Sequence, residues 1–340
     1  MTEDEERADE AEPSALPTIP GLTFRRCQGL DDLPEIARVM NLSREADGVD
    51  HVTTAADLTA VYSMPLDFDP KADVVMAEAD GELVGLARIW REDRRDGKKV
   101  YGQSVELVPG WHGKGIREGL FRYNEEHVRS ISSKDSEGGP VFLELWTNDP
   151  PNDWKSIVEG RGYTPVQHEL DMMRSLDEIP DIPLPEGLEI RPVRPEQYDV
   201  VREVSREAWK DVWDSSKDDW NEEYFEAYMK KSIFRPELWQ VAWKGNTLAG
   251  MVLNYIVDKE NRELGTRRGH TEYVFVREEF RGMGLARALL ARSFKVLKDQ
   301  GMEEAMLSVL VENPHKALRV YEGIGYRTVK HFTWFQKPIA

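Results

Sequence analysis

From residue 286 onward, apolar positions recur at helical spacing. Ala286, Leu289, Leu290, Phe294 and Leu297 share one stripe, with Arg287, Arg292, Lys295 and Lys298 off it. The pattern predicts an amphipathic helix that Gly301 ends as a C-cap. Residues 305–311 then read as a buried strand. Upstream, residues 239–243 alternate as a half-buried strand and reach a Gly245-Asn246 turn, and residues 250–257 continue as the hairpin partner. Residues 272–276 form a short β-rich run. Strand, helices, strands, helix, strand, helix, strand is the resulting order, which predicts a mixed α/β (α+β) fold.

The same order occurs twice. Gly21-Leu22-Thr23-Phe24-Arg25 returns as Gly187-Leu188-Glu189-Ile190-Arg191, and the Gly81…Gly85 hairpin returns as Gly245…Gly250. Gly113 and Gly115 return as Gly282 and Gly284, and Gly162-Tyr163 as Gly325-Tyr326. The offsets stay between 163 and 169 residues with the order kept, so the chain reads as two copies of one domain. Residues 1–20 read as an acidic, solvated tail, 21–176 as the first copy, 177–186 as a Pro-rich extended linker, and 187–340 as the second copy.

Charge narrows the partners. The 340 residues carry 45 basic and 63 acidic side chains, a net charge of −18 that repels phosphate backbones and anionic lipid. No nucleic acid or membrane partner is expected, and no stretch approaches the roughly 18 apolar residues of a membrane span. The acidic N-terminus does not read as a signal peptide. Cys27, the single cysteine, can form neither an internal disulfide nor a Cys-rich zinc site, which points to a reducing cytoplasm and no metal.

Two segments carry candidate chemistry. The first runs from Val276 through Arg281-Gly282-Met283-Gly284-Leu285-Ala286 and joins a strand to the amphipathic helix. Paired glycines let the backbone approach a ligand, and the exposed N–H groups of the helix start favour an anion such as a pyrophosphate. The bland alternative is a strand-to-helix turn with no ligand. The second runs from Glu312-Asn313-Pro314 to Gly325-Tyr326. Here Asn313 and Pro314 read as the cap and first turn of a helix on which Ala317 and Tyr321 share a face. Taken singly, Asn313 is a cap and Tyr321 a core aromatic.

Together the two segments resemble the GNAT acetyltransferase superfamily. Arg281, Gly284 and Ala286 meet its Gln/Arg-x-x-Gly-x-Gly/Ala motif, and Asn313, Ala317, Tyr321 and Gly325 meet its later pattern, with Tyr326 in place of Phe. The resemblance implies two tandem GNAT folds, similar in layout to mycothiol synthase, with acetyl-CoA as co-substrate. It further implies that the turn at Arg281, Gly282, Met283, Gly284, Leu285 and Ala286 binds the pyrophosphate. Val274, Phe275 and Val276 would offer main-chain bonds to the pantetheine arm and acetyl carbonyl, and Asn313 would contact the arm. Tyr321 would protonate the leaving thiolate. Glu272 is the candidate base that activates the amine, with His270 as its rival.

The first copy departs from this pattern. His112 and Arg117 stand at the Gln/Arg and Gly/Ala positions, Arg117 is expected to crowd the helix start, and Val158 stands where the phenol should be. That copy reads as inactive. Trp209, Trp213, Trp220, Tyr224, Tyr228, Trp239 and Trp243 lie among Asp211, Asp214, Asp218, Asp219, Glu222 and Glu223, a composition that suits an amine cation but reads first as core packing. The expected activity is acetyl transfer to a small-molecule primary amine by direct attack in the C-terminal copy. A protein N-terminus or lysine is the alternative acceptor, and acyl-CoA binding without turnover the alternative class. The oligomeric state stays open.

Overall fold

The computed structural model describes residues 16–49, 52–62, 68–94, 96–134, 139–149, 154–209, 220–313 and 316–339. The acidic stretch 1–15, Asn152 and Asp153, Pro314, and Asp211 to Asp219 with Trp213 lie outside them. Elements in the first copy are β1 (Leu22–Arg26), α1 (Leu33–Ala46), α2 (Ala55–Tyr62), α3 (Pro70–Asp73), β2 (Val74–Ala79), β3 (Glu82–Asp93), β4 (Lys99–Leu107), α4 (Ile116–Ser133), β5 (Val141–Asp149), α5 (Trp154–Gly160) and β6 (Thr164–Ser175). The second copy supplies β7 (Glu189–Ile190), α6 (Tyr198–Trp209), α7 (Glu222–Met229), β8 (Gln240–Lys244), β9 (Thr247–Ile256), α8 (Asp258–Leu264), β10 (Arg268–Val276), α9 (Leu285–Asp299), β11 (Glu304–Leu310), α10 (Ala317–Glu322) and β12 (Arg327–Ile339). The repeat and the mixed α/β class are both present.

The chain divides into two compact units, and their borders are not those of the repeat. One unit takes the chain up to Val166 together with the end from Thr333; the other is Gln167–Phe332. The closing strands have changed places. In the first unit the order is β1-β2-β3-β4-β5 and then the end of β12, whereas the second runs β6-β11-β10-β9-β8-β7. Leu170, Met172 and Leu176 pack in the second unit's core, while Phe335 is fully buried in the first unit's core. A repeat cannot reveal this exchange, because both copies offer the same slot beside the fifth strand.

Each sheet buries both faces under helices, which is why its strands carry apolar residues on both sides. In the second unit α9 and α10 cover one face; the other face carries the aromatic cluster of Trp220, Phe225, Tyr228, Trp239 and Trp243. Those rings are core, as the packing reading expected. The stripe on α9 begins one residue earlier than its pattern suggested: Leu285 is buried and Ala286 half-buried. Gly250, repeated from Gly85, is required by close approach, since a Cβ there would meet the Phe275 carbonyl oxygen at 2.9 Å.

Two expectations need correction. Residues 16–20 are not a free tail, because Leu16 and Ile19 pack against the first core. The Pro-rich 177–186 segment is extended but not a solvated spacer. Ile179, Ile182 and Leu184 lie on the second core, and Lys298 Nζ donates to the carbonyls of Leu176 and Asp177 at 2.8 and 2.9 Å. Apolar residues between the prolines fasten it down. Among the described residues, no helix is long and apolar enough to cross a membrane.

The strand exchange predicts an unusual truncation phenotype. Phe335→Ala should cost about 3–5 kcal/mol in urea unfolding, as a large core ring lost to a cavity does. Hydrogen exchange should rise first in β4 and β5 of the first unit, despite the mutation's place at the C-terminus. Exchange rising first in β10 and β11 would contradict the assignment.

Candidate active site

The strand-to-helix turn comes first. Gly282 and Gly284 have φ of +78° and +85°, and Gly284 is the N-cap of α9. A Cβ at either glycine would meet no protein atom within 4 Å, so open space lies over the turn. The glycines are needed for backbone conformation and leave the first N–H groups of α9 accessible to an anion. Arg281, Met283 and both glycines are exposed, and the Arg281 Nε donates back to the Val276 carbonyl at 3.0 Å. Leu285 contributes only backbone, its side chain being core.

β10 leads into this turn and is interrupted. It pairs in parallel with β11 at Arg268–Glu304, Gly269–Ala305 and His270–Met306 and no further. β11 stays with β6 as far as Leu310–Glu169. Against β9, the register of β10 shifts between Glu272 and Phe275, and Tyr273 takes a φ of +49°. This bulge and the parting of β10 from β11 open a wedge. Val274 and Val276 turn toward the α9 core and Phe275 toward the aromatic one.

Glu272 stands in the wedge, part-exposed but surrounded by protein. Burial raises its carboxyl to about 8; the charge of Glu169 pushes the same way, the Ser308 N–H opposes it, and Asp171 adds a smaller upward push. Asp171 is itself held by the Ser308 hydroxyl at 2.7 Å. Tyr321 is 7% exposed on α10, and its hydroxyl is raised by burial and then by the charge of Glu272. Beside it, Tyr326 shares a 2.5 Å hydrogen bond with Thr271. The geometry thus brings Glu272 and Tyr321 into electrostatic reach of each other. His270 lies in the paired part of β10, stacked on Tyr255 at 4.6 Å and facing Glu260 at 3.9 Å.

Asn313 does not cap the helix. Its N–H bonds the Leu310 carbonyl, its carbonyl accepts from the Lys316 N–H, and α10 begins only at Ala317. Lys316, at φ +55°, is the N-cap. A left-handed residue after the proline delays the helix by a turn, which the cap rule could not foresee. Asn313 lies three residues beyond β11, next to Glu312, which meets His168 at 2.7 Å.

Residues 205–326 match the acetyltransferase (GNAT) family. A mycothiol acetyltransferase of Streptomyces bingchenggensis is 26% identical over 258 residues, covering 74% of this chain and 76% of that protein. A GCN5-related N-acetyltransferase from Sphaerobacter thermophilus has the same fold, with a TM-score of 0.69 at 24% identity over 95% of this chain and 97% of that one. So does a tandem GNAT protein from the clavulanic acid biosynthesis pathway, at a TM-score of 0.66 and 17% identity over 94% and 99%. Residues 205–326 thus carry a GNAT acetyltransferase domain, and the chain as a whole has the tandem GNAT fold.

The first GNAT unit keeps the turn, with φ of +72° at Gly113 and +76° at Gly115. Its β3–β4 register runs without a shift, so no bulge forms. Ser104 stands where Glu272 does, Trp154 where Ala317 does, and Val158 where Tyr321 does. Arg117 does not crowd the helix start, contrary to expectation. It turns inward, 4.3 Å from the Trp154 ring, and pairs with Asp47 at 3.0 Å, a carboxylate that the Trp154 indole also reaches at 3.0 Å. Buried aromatic surface and an opposite charge hold the guanidinium better than the helix start, where like partial charge repels it. Two positions that are small in the second unit are therefore filled and locked together in the first.

Sequence reasoning missed Glu169 and Asp171, because β6 belongs to the first copy in sequence and to the second unit in space. Their alternation, acids two apart on a strand, was the available signal.

Glu272 also marks stability. A carboxyl raised from 4.5 to about 8 binds a proton that the unfolded chain has lost between those values. Its contribution is therefore fully present below 4.5 and is lost as pH rises through 8. Glu272→Gln should be increasingly stabilising relative to the parent across that window, read as a melting-temperature difference that grows with pH. A difference independent of pH would contradict the assignment.

Proposed function

We propose that the second unit transfers an acetyl group from acetyl-CoA to the primary amine of a small molecule by direct attack in a ternary complex. GNAT-fold enzymes use an acyl-CoA co-substrate. The convergence of Glu272 and Tyr321 on the wedge at the bulge is the observation that carries the reading. The open turn at Gly282 and Gly284 offers backbone N–H groups to the pyrophosphate, and the main chain of Val274, Phe275 and Val276 runs along the wedge toward it. Asn313 borders the arm from the β11 side.

Glu272 takes a proton from the bound ammonium, and a carboxylate near 8 is matched to that task. The freed lone pair attacks the thioester carbon. Main-chain N–H groups of the wedge stabilise the oxyanion, and collapse breaks the C–S bond. Tyr321, whose raised hydroxyl stays protonated at neutral pH, hands its proton to the thiolate and takes up the second proton that the adduct nitrogen sheds as the amide forms. One contribution to that elevation is the Glu272 charge, which disappears once Glu272 has taken the amine's proton. The donor thus becomes more acidic as it is needed.

Glu169 and Asp171 beside Glu272 give the recess a negative character that suits a cationic amine. Cys27 supports direct attack over a covalent intermediate: it is buried in the other unit, and burial pushes its thiol up to about 11.

The test is a screen of amines with acetyl-CoA, read by released thiol. With an amine in hand, Tyr321→Phe should lower turnover by about 10²-fold or more while acetyl-CoA affinity changes by less than about twofold. Unchanged turnover with chemistry rate-limiting would remove Tyr321 from the mechanism. The kcat/KM for the amine should rise with pH through an apparent value near 8. Glu272→Gln should lose that limb and keep only the amine's own ionisation at higher pH. Persistence of the limb in Glu272→Gln would transfer the base role elsewhere.

A further inference from the structure

The first unit also has a recess where its fourth and fifth strands part. β4 pairs with β5 only from Lys99–Val141 to Gly102–Glu144. Beyond that lies a cavity of about 90 Å³, the volume of about three water molecules in the liquid. Trp154 forms one wall, locked with Arg117 on Asp47, at the position that the small Ala317 occupies in the second unit. What remains is a small chamber whose charge differs from that of its counterpart.

Ser104 replaces Glu272 at the floor. Its cross-strand neighbour is Arg88, where Glu272 has Leu253. The Arg88 Nε donates to the Ser104 hydroxyl at 2.9 Å, and its guanidinium lies 5.1 Å from the Trp90 ring centroid. Arg44 faces the same chamber and has a carboxylate at hand, Glu106 at 3.6 Å. Arg88 has no carboxylate partner among the described residues. The Asp47 charge is already met by Arg117. The chamber thus holds two guanidiniums and one carboxylate not otherwise engaged, an excess of one positive charge. Burial lowers the Arg44 pKa and Arg88 adds to that, with Glu106 opposing. An independent sign points to a ligand: the Thr147 hydroxyl lines the chamber, 4% exposed and with no hydrogen-bond partner.

We propose that this chamber binds a small organic carboxylate, of formate to propanoate size, through Arg88 and Thr147. Arg88 supplies the charge and planar donor fork that match a carboxylate, and Thr147 supplies a hydroxyl donor. Val105, Phe121, Leu145 and Trp90 give the carbon end an apolar wall. A dianionic phosphate matches the chamber less well. Its second charge would face Glu106 without compensation.

The test uses the full chain with sodium acetate or propanoate against sodium chloride at equal ionic strength. Saturation-transfer NMR on the ligand protons and the melting temperature are the two readouts, taken with coenzyme A present to fill the second unit. Carboxylate-specific transfer and a raised melting temperature are expected. Arg88→Gln should weaken binding about tenfold or more, and the isosteric Thr147→Val by several fold. Thr147→Val keeps the guanidinium packing intact and so guards against an unfolded Arg88 variant. No difference from chloride, binding abolished by coenzyme A, or full affinity in both variants would each overturn the proposal. Equal or tighter binding of inorganic phosphate would overturn the carboxylate assignment.

Discussion

One extra residue in β10 governs the second unit. A parallel strand pair held in register would close the sheet and leave no slot between its strands. The shift between Glu272 and Phe275 lies just beyond the last parallel pair, His270 with Met306, so the added residue falls where the two strands part. Its cost is concentrated in Tyr273, a bulky side chain at positive φ, which is strained by about 1–2 kcal/mol. The surroundings hold it there. The Tyr273 ring stands edge-on to Trp220 at 5.0 Å and to Tyr228 at 6.2 Å, contacts that offset strain of this size. On the other side, Gly250 leaves room for the displaced Phe275 carbonyl. The aromatic core therefore bears on the proposed chemistry at a distance: it fixes the bulge, and the bulge sets Glu272 in the wedge.

The first unit shows what the same fold does without that shift. The glycine turn, the sheet order and the Tyr163 hydroxyl, bonded to Gln103 as Tyr326 is to Thr271, are all retained. The strands part here without a register shift, and Trp154, held against Arg117, forms one wall of the gap. Folding stability tolerates these changes because burying an indole is favourable wherever a cleft is not needed. The proposed mechanism would not tolerate them, since Ser104 and Val158 replace the acid at the floor and the phenol above it.

Much of this could be read in the residues. Paired glycines demanded a left-handed turn, the stripe from Leu289 to Leu297 demanded a buried helix, and Glu272 stood on the strand feeding both. What escaped was non-local. Exchange of β6 and β12 leaves every local pattern unchanged, so Glu169 and Asp171 gave no hint of their destination. Asn313-Pro314 carries a sound capping signal, yet the helix starts beyond it because Lys316 adopts a conformation that propensity disfavours. The motif position of Arg117 suggests crowding at the helix start, whereas its side chain is placed by Asp47, about seventy residues away in sequence. Local signals specify elements; the partners of buried charges and closing strands are specified by the packed whole.

The central claim is that a single acyl-CoA site operates, in the second unit. Calorimetric titration of the full chain with acetyl-CoA addresses it directly. The account predicts a stoichiometry near one, abolished when Gly284 is replaced by Leu and unaffected when Gly115 is replaced by Leu. A stoichiometry near two, or a single site lost on changing Gly115, would contradict it.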